Sequence, residues 1–186
     1  MGPGPALHIL DACSLLNLVA SRRFMDIASA MPGSFLTSEQ AAREVRYVRK
    51  GGGAPDAQER EAIDLEPFQR LGLLAVSNLK SPAEVATFID FATEMSDGEA
   101  AACALAVHRG GVLVTDDRKA RRVVSQRFPG TLLSTTSELI KAWADQAGLD
   151  APEIARVLLD VEQRGNFRPG RHDPLESWWN EARNQL

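Results

Sequence analysis

The chain has 186 residues, of which 44% are hydrophobic and 25% are charged, the composition of an ordinary globular protein with one substantial domain. The formal net charge of −4 argues against strong non-specific binding of nucleic acid through bulk charge, although it allows a local basic surface. No apolar stretch approaches the roughly 20 residues of a membrane span, and no secretory leader is evident. We therefore expect a cytoplasmic protein with no membrane attachment.

Short apolar runs alternate with helical patterns along most of the chain. Leu7–Leu10 and Val112–Thr115 are typical of buried parallel strands, Ser81–Glu84 has the pattern of a capping box, and Gly51–Pro55 is predicted to be a mobile loop. In chain order the predicted elements are a strand at 7–10, helices at 12–19 and 22–31, a strand at 34–36, a helix that ends at 48, extended segments at 62–68 and 71–76, helices that begin at 82 and 97, a strand at 112–115, a helix at 117–126, a strand at 131–133 and a helix at 134–146. The alternation predicts a three-layer α/β/α sandwich with a central parallel sheet.

The last part of the chain changes in character. A helix begins at Asp150, a basic loop follows at 166–173, and a final helix carries Trp178 and Trp179. We predict an α/β domain at 6–148 and a short helical C-terminal extension at 149–186 that packs on it. The tryptophan pair is expected to bury against the core, with docking of a partner as the alternative.

Aspartates follow two of the predicted strands. Asp11 comes directly after 7–10, and Asp116 comes directly after 112–115. In an open parallel sheet the carboxyl ends of the strands form the ligand-binding edge, so we expect the two side chains to converge there, although each could serve only as a helix cap. Carboxylates gathered at one edge raise each other's pKa unless cations neutralise them, and oxygen ligands suit Mg²⁺ or Mn²⁺. The pattern therefore predicts a metal site and metal-dependent phosphodiester hydrolysis.

Three segments of the chain resemble PIN-domain nucleases, and more narrowly the VapC-like toxins. They are Leu10–Leu18 (LDACSLLNL), Gly98–Ala106 (GEAAACALA) and Val114–Arg121 (VTDDRKAR). Their order and spacing cover residues 7 to 125. The resemblance implies a PIN-like sandwich with a shared acidic pocket. It also implies hydrolysis of an RNA backbone that leaves a 5′-phosphate and a 3′-hydroxyl.

The resemblance assigns the acidic pocket to particular residues of this chain. The first and last family aspartates correspond to Asp11 and Asp116, and the acid of the Gly-Glu motif corresponds to Glu99. The second family carboxylate corresponds to Glu44, with Glu39 as the rival. Glu44 and Glu99 could instead be ordinary helix charges. Outer contributors to the pocket would be Asp97 and Asp117, with Ser14 or Thr115 offering a hydroxyl to a metal-bound water.

Basic residues near these acids are predicted to contact RNA phosphates. They lie on or after the helix that carries Glu44 and on the helix that follows Asp116. The alternative is a solvated helical face with ordinary ion pairs. The predicted contacts are Arg43, Arg46, Arg118, Lys119 and Arg121.

The resemblance also implies a biological role, that of the toxin in a toxin–antitoxin pair. Its cofactor would be Mg²⁺ or Mn²⁺, and its partners would be RNA, a cognate antitoxin protein and a second copy in a homodimer. A catalytically weak, partner-binding PIN-like module is the alternative. A phosphatase of the haloacid-dehalogenase type would need an aspartate where the chain has Cys13. Cys13 and Cys103 are expected to be buried free thiols, with a disulfide as the alternative.

Overall fold

The computed structural model describes residues 6–51 and 59–185, and its helices cover both faces of a parallel sheet. The strands are β1 (Leu7–Leu10), β2 (Ser34–Ser38), β3 (Tyr47–Arg49), β4 (Arg60–Ala62), β5 (Ala75–Ser77), β6 (Val112–Val114) and β7 (Leu132–Ser134). The helices are α1 (Ala12–Ala20), α2 (Phe24–Ala30), α3 (Glu39–Glu44), α4 (Glu66–Arg70), α5 (Pro82–Ala92), α6 (Asp97–Arg109), α7 (Arg118–Arg127), α8 (Thr136–Ala147), α9 (Ala151–Asp160) and α10 (Glu176–Arg183). No helix within the described ranges is long and apolar enough to cross a membrane.

The central sheet has the strand order β5-β2-β1-β6-β7, and all of its pairs are parallel. The chain builds outward from β1 to β2 and β5 on one side, and through β6 to β7 on the other. The order therefore reverses between β1 and β6, where Leu10 lies opposite Val114. Such a switch point is where open α/β sheets bind ligands. Asp11 and Asp116 follow the two strands that form it.

Alternate residues of the central strands supply two separate cores, as the period of a strand requires. Leu10 and Val114 face the core that includes helices α1, α2 and α8, whereas Ile9 and Leu113 face the core that includes α6. Every residue of Ala100–Ala106 is buried, so the small side chains of α6 allow it to lie close to the sheet. The three-layer α/β/α sandwich is thus confirmed.

Capping boxes begin several of the helices, because a hydroxyl or carboxylate before the helix and a glutamate in its first turn satisfy each other's backbone amides. The Ser81–Glu84 box predicted for α5 is confirmed. The other boxes are Ser96 with Glu99 in α6, Thr135 with Glu138 in α8, and Asp150 with Glu153 in α9.

The segment after α3 differs from its prediction. The helix predicted to end at 48 stops at Glu44, and residues 47–49 form a strand that pairs antiparallel with β4. Val48 is buried while its neighbours are exposed, the alternation of a strand with one covered face. The extended segment predicted at 62–68 is wrong in its second part, because Ala62 ends β4 but α4 begins at Glu66, with Pro67 in its first turn. Most of the loop predicted at 51–55 lies outside the described residues.

The tail packs against the α1 side of the sheet. Leu158, Val161 and Trp179 are fully buried in the same core as Leu15 and Leu18. The Trp179 indole N–H donates to Glu162 Oε1 at 2.9 Å, which satisfies its only polar group. The tryptophan pair therefore packs on its own chain, as predicted. The domain boundary at 148 stays a prediction.

Arg164 connects the tail to two other parts of the molecule. It lies in a π-helical turn at Val161–Gly165 that continues α9, and it is only 5% exposed. Its guanidinium donates to the carbonyls of Ala20 and Lys50 at 3.2 and 3.3 Å, and to Glu61 Oε2 at 2.9 Å. The end of α1, the β3–β4 hairpin and the tail are thereby held in one arrangement.

Because the tail completes a core, the substitution Leu158→Ala should lower the free energy of unfolding by about 2–5 kcal/mol, as expected for a buried leucine. Arg156→Ala, at an exposed position of the same helix, should change it by less than about 0.5 kcal/mol. Urea denaturation of both variants measures the difference. Removing 149–186 should leave an aggregating protein, and a truncated chain that melts like the wild type would contradict the packing.

Candidate active site

Asp11 sits at the switch point and begins α1. Its Oδ1 accepts the amide of Ser14 at 2.7 Å, which makes it the N-cap of the helix. The side chain is 1% exposed, and burial raises its pKa to about 7. The negative charge of Asp116 adds to the shift, whereas the hydroxyls of Thr115 and Ser14 and the Ser14 amide lower it. Asp11 can therefore fill both of its expected roles. One carboxylate oxygen caps the helix, and the other is available to a ligand.

Asp116 is held by donors from two distant parts of the chain. Its Oδ1 accepts the amide of Thr136 at 2.8 Å, and its Oδ2 accepts the Thr136 hydroxyl at 2.5 Å and the Asn17 amide at 3.2 Å. Burial raises the pKa of Asp116, and the charge of Asp173 adds to it. The carboxylate is thus fixed in orientation by the start of α8 and by α1.

Glu44 closes the site from the end of α3. Its Oε1 accepts the backbone amide of Gly98 at 3.0 Å, in the first turn of α6. A Cβ atom at position 98 would lie 2.6 Å from that oxygen, so only glycine permits the approach. The rival acid Glu39 instead pairs with Arg43 at 3.0 Å. Glu44, unlike Glu39, therefore contacts the turn of α6 that carries Glu99, and its role as the second family carboxylate stays a prediction.

Glu99 reaches the site from the same turn of α6. Its Oε2 accepts both the amide and the hydroxyl of Ser96 at 3.0 Å, as part of the capping box. The helix cap fixes this side chain but employs only one of its two carboxylate oxygens in the bonds it makes to Ser96. The second oxygen remains available for other partners.

The negative charges of all four acids act on the Cys13 thiol. Loss of hydration raises its pKa to about 12, and the negative charges of Asp11, Glu99, Asp116 and Glu44 all add to the shift. Both cysteines are free, as expected, but Cys13 is exposed rather than buried. A thiol so far from ionisation is a poor nucleophile at neutral pH. The acids therefore dominate the chemistry of this pocket.

The four acids do not form a finished metal cage. Within residues 6–51 and 59–185, no three His, Cys, Asp or Glu side chains lie close enough to hold an ion as they are placed. Each of the four carboxylates instead accepts a hydrogen bond from a separate backbone amide, those of Ser14, Gly98, Ser96 and Thr136.

One atom does point to a cation. Asp11 Oδ2 is buried and has no hydrogen-bond partner in the described part of the chain, and the same holds for the nearby Ser14 hydroxyl. A buried carboxylate oxygen without a donor is costly unless a cation or proton compensates it. The donors around it are oxygens, which suit Mg²⁺ or Mn²⁺. The residues present therefore fit a divalent ion at Asp11.

Comparison with known families supports this interpretation. Residues 7–133 match the profile of a family described as a PIN domain, which is more than half of the chain. The chain belongs to the PIN-domain family. PIN domains are generally nucleases that use divalent metal ions such as Mg²⁺. Comparison with curated proteins gives no significant match.

The predicted outer acids of this PIN domain have different surroundings. Asp117 caps α7, with its Oδ1 accepting the amide of Ala120 at 2.6 Å. Asp97 is the exposed first residue of α6. Thr115 accepts the amide of Asp117 at 3.2 Å, so its hydroxyl oxygen already has one partner. Of the predicted outer groups, the Ser14 hydroxyl is the one left without a partner beside Asp11.

The predicted RNA-contacting residues fall into two groups. Arg121 donates to the Ser134 carbonyl at 2.9 Å, Lys119 bonds the Glu94 carbonyl, and Arg43 pairs with Glu39, so these three are engaged within the chain. Arg46 and Arg118 have no carboxylate partner among the described residues. Contact of any of the five with RNA stays a prediction.

The tail forms one wall of a cavity beside Asp116. The cavity measures about 200 Å³, and Phe167, Pro169 and His172 of the tail face Arg118 across it. Arg118 lies 3.1 Å from His172 Nε2. The Asp116 side of the pocket therefore depends on residues outside the matched PIN segment.

Sequence reasoning missed the residues that orient Asp116. Asn17 is a buried amide within an apolar helix, and that interruption of the apolar run was its only signal. Gly165 lies so close that a Cβ there would be 2.9 Å from Asn17 Oδ1. Thr136 gave no signal, because its contact with Asp116 spans 20 residues of sequence.

The raised pKa of Asp11 predicts how stability depends on pH without metal. The folded chain keeps a proton up to about pH 7, whereas the unfolded chain releases it near 3.8. Stability should therefore fall as the pH rises from about 4 to 7 and level off above. Asp11→Asn keeps the cap and removes this charge, so it should be more stable than wild type at pH 8 by roughly 4 kcal/mol.

Chemical denaturation in EDTA at pH 5 and pH 8 measures this difference. Glu181→Gln, which removes an exposed carboxylate of α10, should follow the wild type at both pH values. Parallel curves for wild type and Asp11→Asn would show that Asp11 is not a buried, uncompensated charge.

Proposed function

We propose that this PIN domain is a metal-dependent ribonuclease and the toxin of a toxin–antitoxin pair. The observation that carries the proposal is the buried Asp11 oxygen without a donor, beside Asp116 at the switch point of the sheet. A cation there would compensate the burial that raises the pKa of both aspartates, and the negative charge of Asp116 that adds to the shift of Asp11. Membership of a nuclease family supports the same conclusion.

Asp11, Glu44, Glu99 and Asp116 would hold one or two Mg²⁺ or Mn²⁺ ions. Such an ion lowers the pKa of a bound water and neutralises charge on a phosphodiester. The protein's own contribution is to keep the acids oriented. Gly98 and Ser96 hold the two glutamates by their backbone amides, and Thr136 holds Asp116 through two hydrogen bonds.

The substrate would approach over arginines on both sides of the acids. Arg46 lies on the Glu44 side and Arg118 on the Asp116 side. Guanidinium groups without carboxylate partners are suited to phosphate oxygens. This distribution supports a polyanionic substrate, despite a net charge of −4.

The role as a toxin rests on the resemblance to VapC-like proteins, as do the antitoxin partner, the homodimer and the cytoplasmic location. A catalytically weak PIN-like module that binds a partner is the second candidate, and the absence of a finished metal cluster among the described residues favours it to that extent. Growth arrest on controlled expression, relieved by a protein encoded beside it, would support the toxin.

Cleavage of RNA should require divalent metal and both aspartates. We expect purified protein to cut cellular RNA with Mg²⁺ or Mn²⁺ and not with EDTA, and Asp11→Asn or Asp116→Asn to lower the rate by more than about 100-fold. That loss exceeds the 10- to 100-fold typical of removing an outer partner. End labelling should find 5′-phosphate and 3′-hydroxyl products.

Two controls make this experiment decisive. Glu181→Gln should cleave like wild type, and calorimetry should detect Mn²⁺ binding to wild type but not to Asp11→Asn. Unchanged cleavage in both aspartate variants would exclude this site. Metal binding without cleavage of any RNA would favour the partner-binding module.

Gly98→Ala tests the position of Glu44. The added methyl group would force the carboxylate away from the first turn of α6, so cleavage should fall about 10- to 100-fold while the melting temperature holds. Gly130→Ala, where a methyl group meets open space, should be neutral. Glu39→Gln should also be neutral. Full activity of Gly98→Ala would remove Glu44 from the site.

A further inference from the structure

The β3–β4 hairpin has an exposed basic face. Arg49 lies directly opposite Arg60 in the antiparallel register, and Tyr47 lies two residues along on the same face. All three side chains are exposed, and Tyr47 is 50% exposed. On the other face, Val48 is buried and Glu61 pairs with Arg164.

Like charges placed directly opposite each other destabilise a two-stranded ribbon. Neighbouring cations are neutralised, since Lys50 pairs with Glu59 and Arg43 pairs with Glu39. Arg49 and Arg60 have no carboxylate partner in the parts of the chain that the structure describes. An anion bound from outside would offset the repulsion between them.

A groove beside this face includes one of the four acids. It measures about 500 Å³, and its lining includes Arg46, Arg49 and Arg60 together with Glu44. Tyr47 also lines it, beside the arginines. A polymer with one phosphate at the acids could therefore extend its neighbouring phosphates along the hairpin.

We propose that the hairpin groove binds single-stranded RNA on one side of the cleaved bond. Arg46, Arg49 and Arg60 bind successive phosphates, and the Tyr47 ring stacks on a base. Guanidinium groups bind phosphate through paired hydrogen bonds, and an exposed aromatic ring stacks most readily on a single-strand base, whose face is not covered by a neighbouring pair. This inference rests on the proposed ribonuclease function and names the substrate class that its site accepts.

Binding without cleavage separates the groove from the chemistry. Asp116→Asn protein in EDTA is titrated against a fluorescent 12-nucleotide oligouridylate at several salt concentrations. In this background, Arg49→Ala with Arg60→Ala should weaken binding about tenfold and reduce the salt slope by about 1.4, which is roughly 0.7 for each phosphate lost. Removing the repelling pair should not lower the melting temperature.

The stacking contact has a different signature. Tyr47→Leu should weaken binding by about 5- to 100-fold with no change in the salt slope, and Tyr47→Phe should restore it, because the ring supplies the contact. Arg156→Ala, an exposed arginine on α9, is the matched control and should bind like the parent protein.

Unchanged affinity and salt slope in the hairpin variants would overturn the proposal. Equal competition by a ten-residue glutamate peptide and by unlabelled RNA would overturn it in favour of an acidic protein partner. A different result would contradict the ribonuclease proposal. In that case RNA binding would still depend on the hairpin, but the wild-type protein would cut no RNA in Mg²⁺.

Discussion

The burial of Asp11 at the meeting of β1 and β6 is the constraint on which the rest of the site depends. Its cap bond to Ser14 fixes the side chain where water cannot hydrate it, and its second oxygen has no donor in the described chain. Burial and the neighbouring charge of Asp116 both disfavour ionisation. The fold therefore tolerates a local cost at the position where a divalent cation would be most favourable.

The other acids are arranged so that their negative charges are not also left without hydrogen-bond donors. Backbone amides at the start of helices hold Glu44 and Glu99, and Thr136 holds Asp116. Donors of this kind stabilise a negative charge without adding a mobile positive one. The charges of four carboxylates act on Cys13, and a bound cation would neutralise the negative charge that the backbone donors do not compensate.

Much of the fold could be predicted from the sequence because its signals are local. Apolar runs mark β1 and β6, so the ends of these strands and the aspartates after them could be predicted. The Ser-x-x-Glu pattern marks the start of α5. The resemblance supplied Glu44 and Glu99. What could not be predicted depends on contacts between distant residues, such as Thr136 with Asp116, or on competition between local preferences. The β3–β4 hairpin was missed because the run before Val48 favours a helix locally and becomes a strand only through pairing with β4.

The buried position of Trp179 has a consequence for the order in which the protein acquires its structure. The core beneath α1 is complete only when Leu158, Val161 and Trp179 are in place, although α1 is made near the beginning of the chain. During synthesis the apolar surface of the early strands therefore stays uncovered until residues through Trp179 have left the ribosome and packed against it. The core that supports α1 would thus be complete only after residues through Trp179 have been translated.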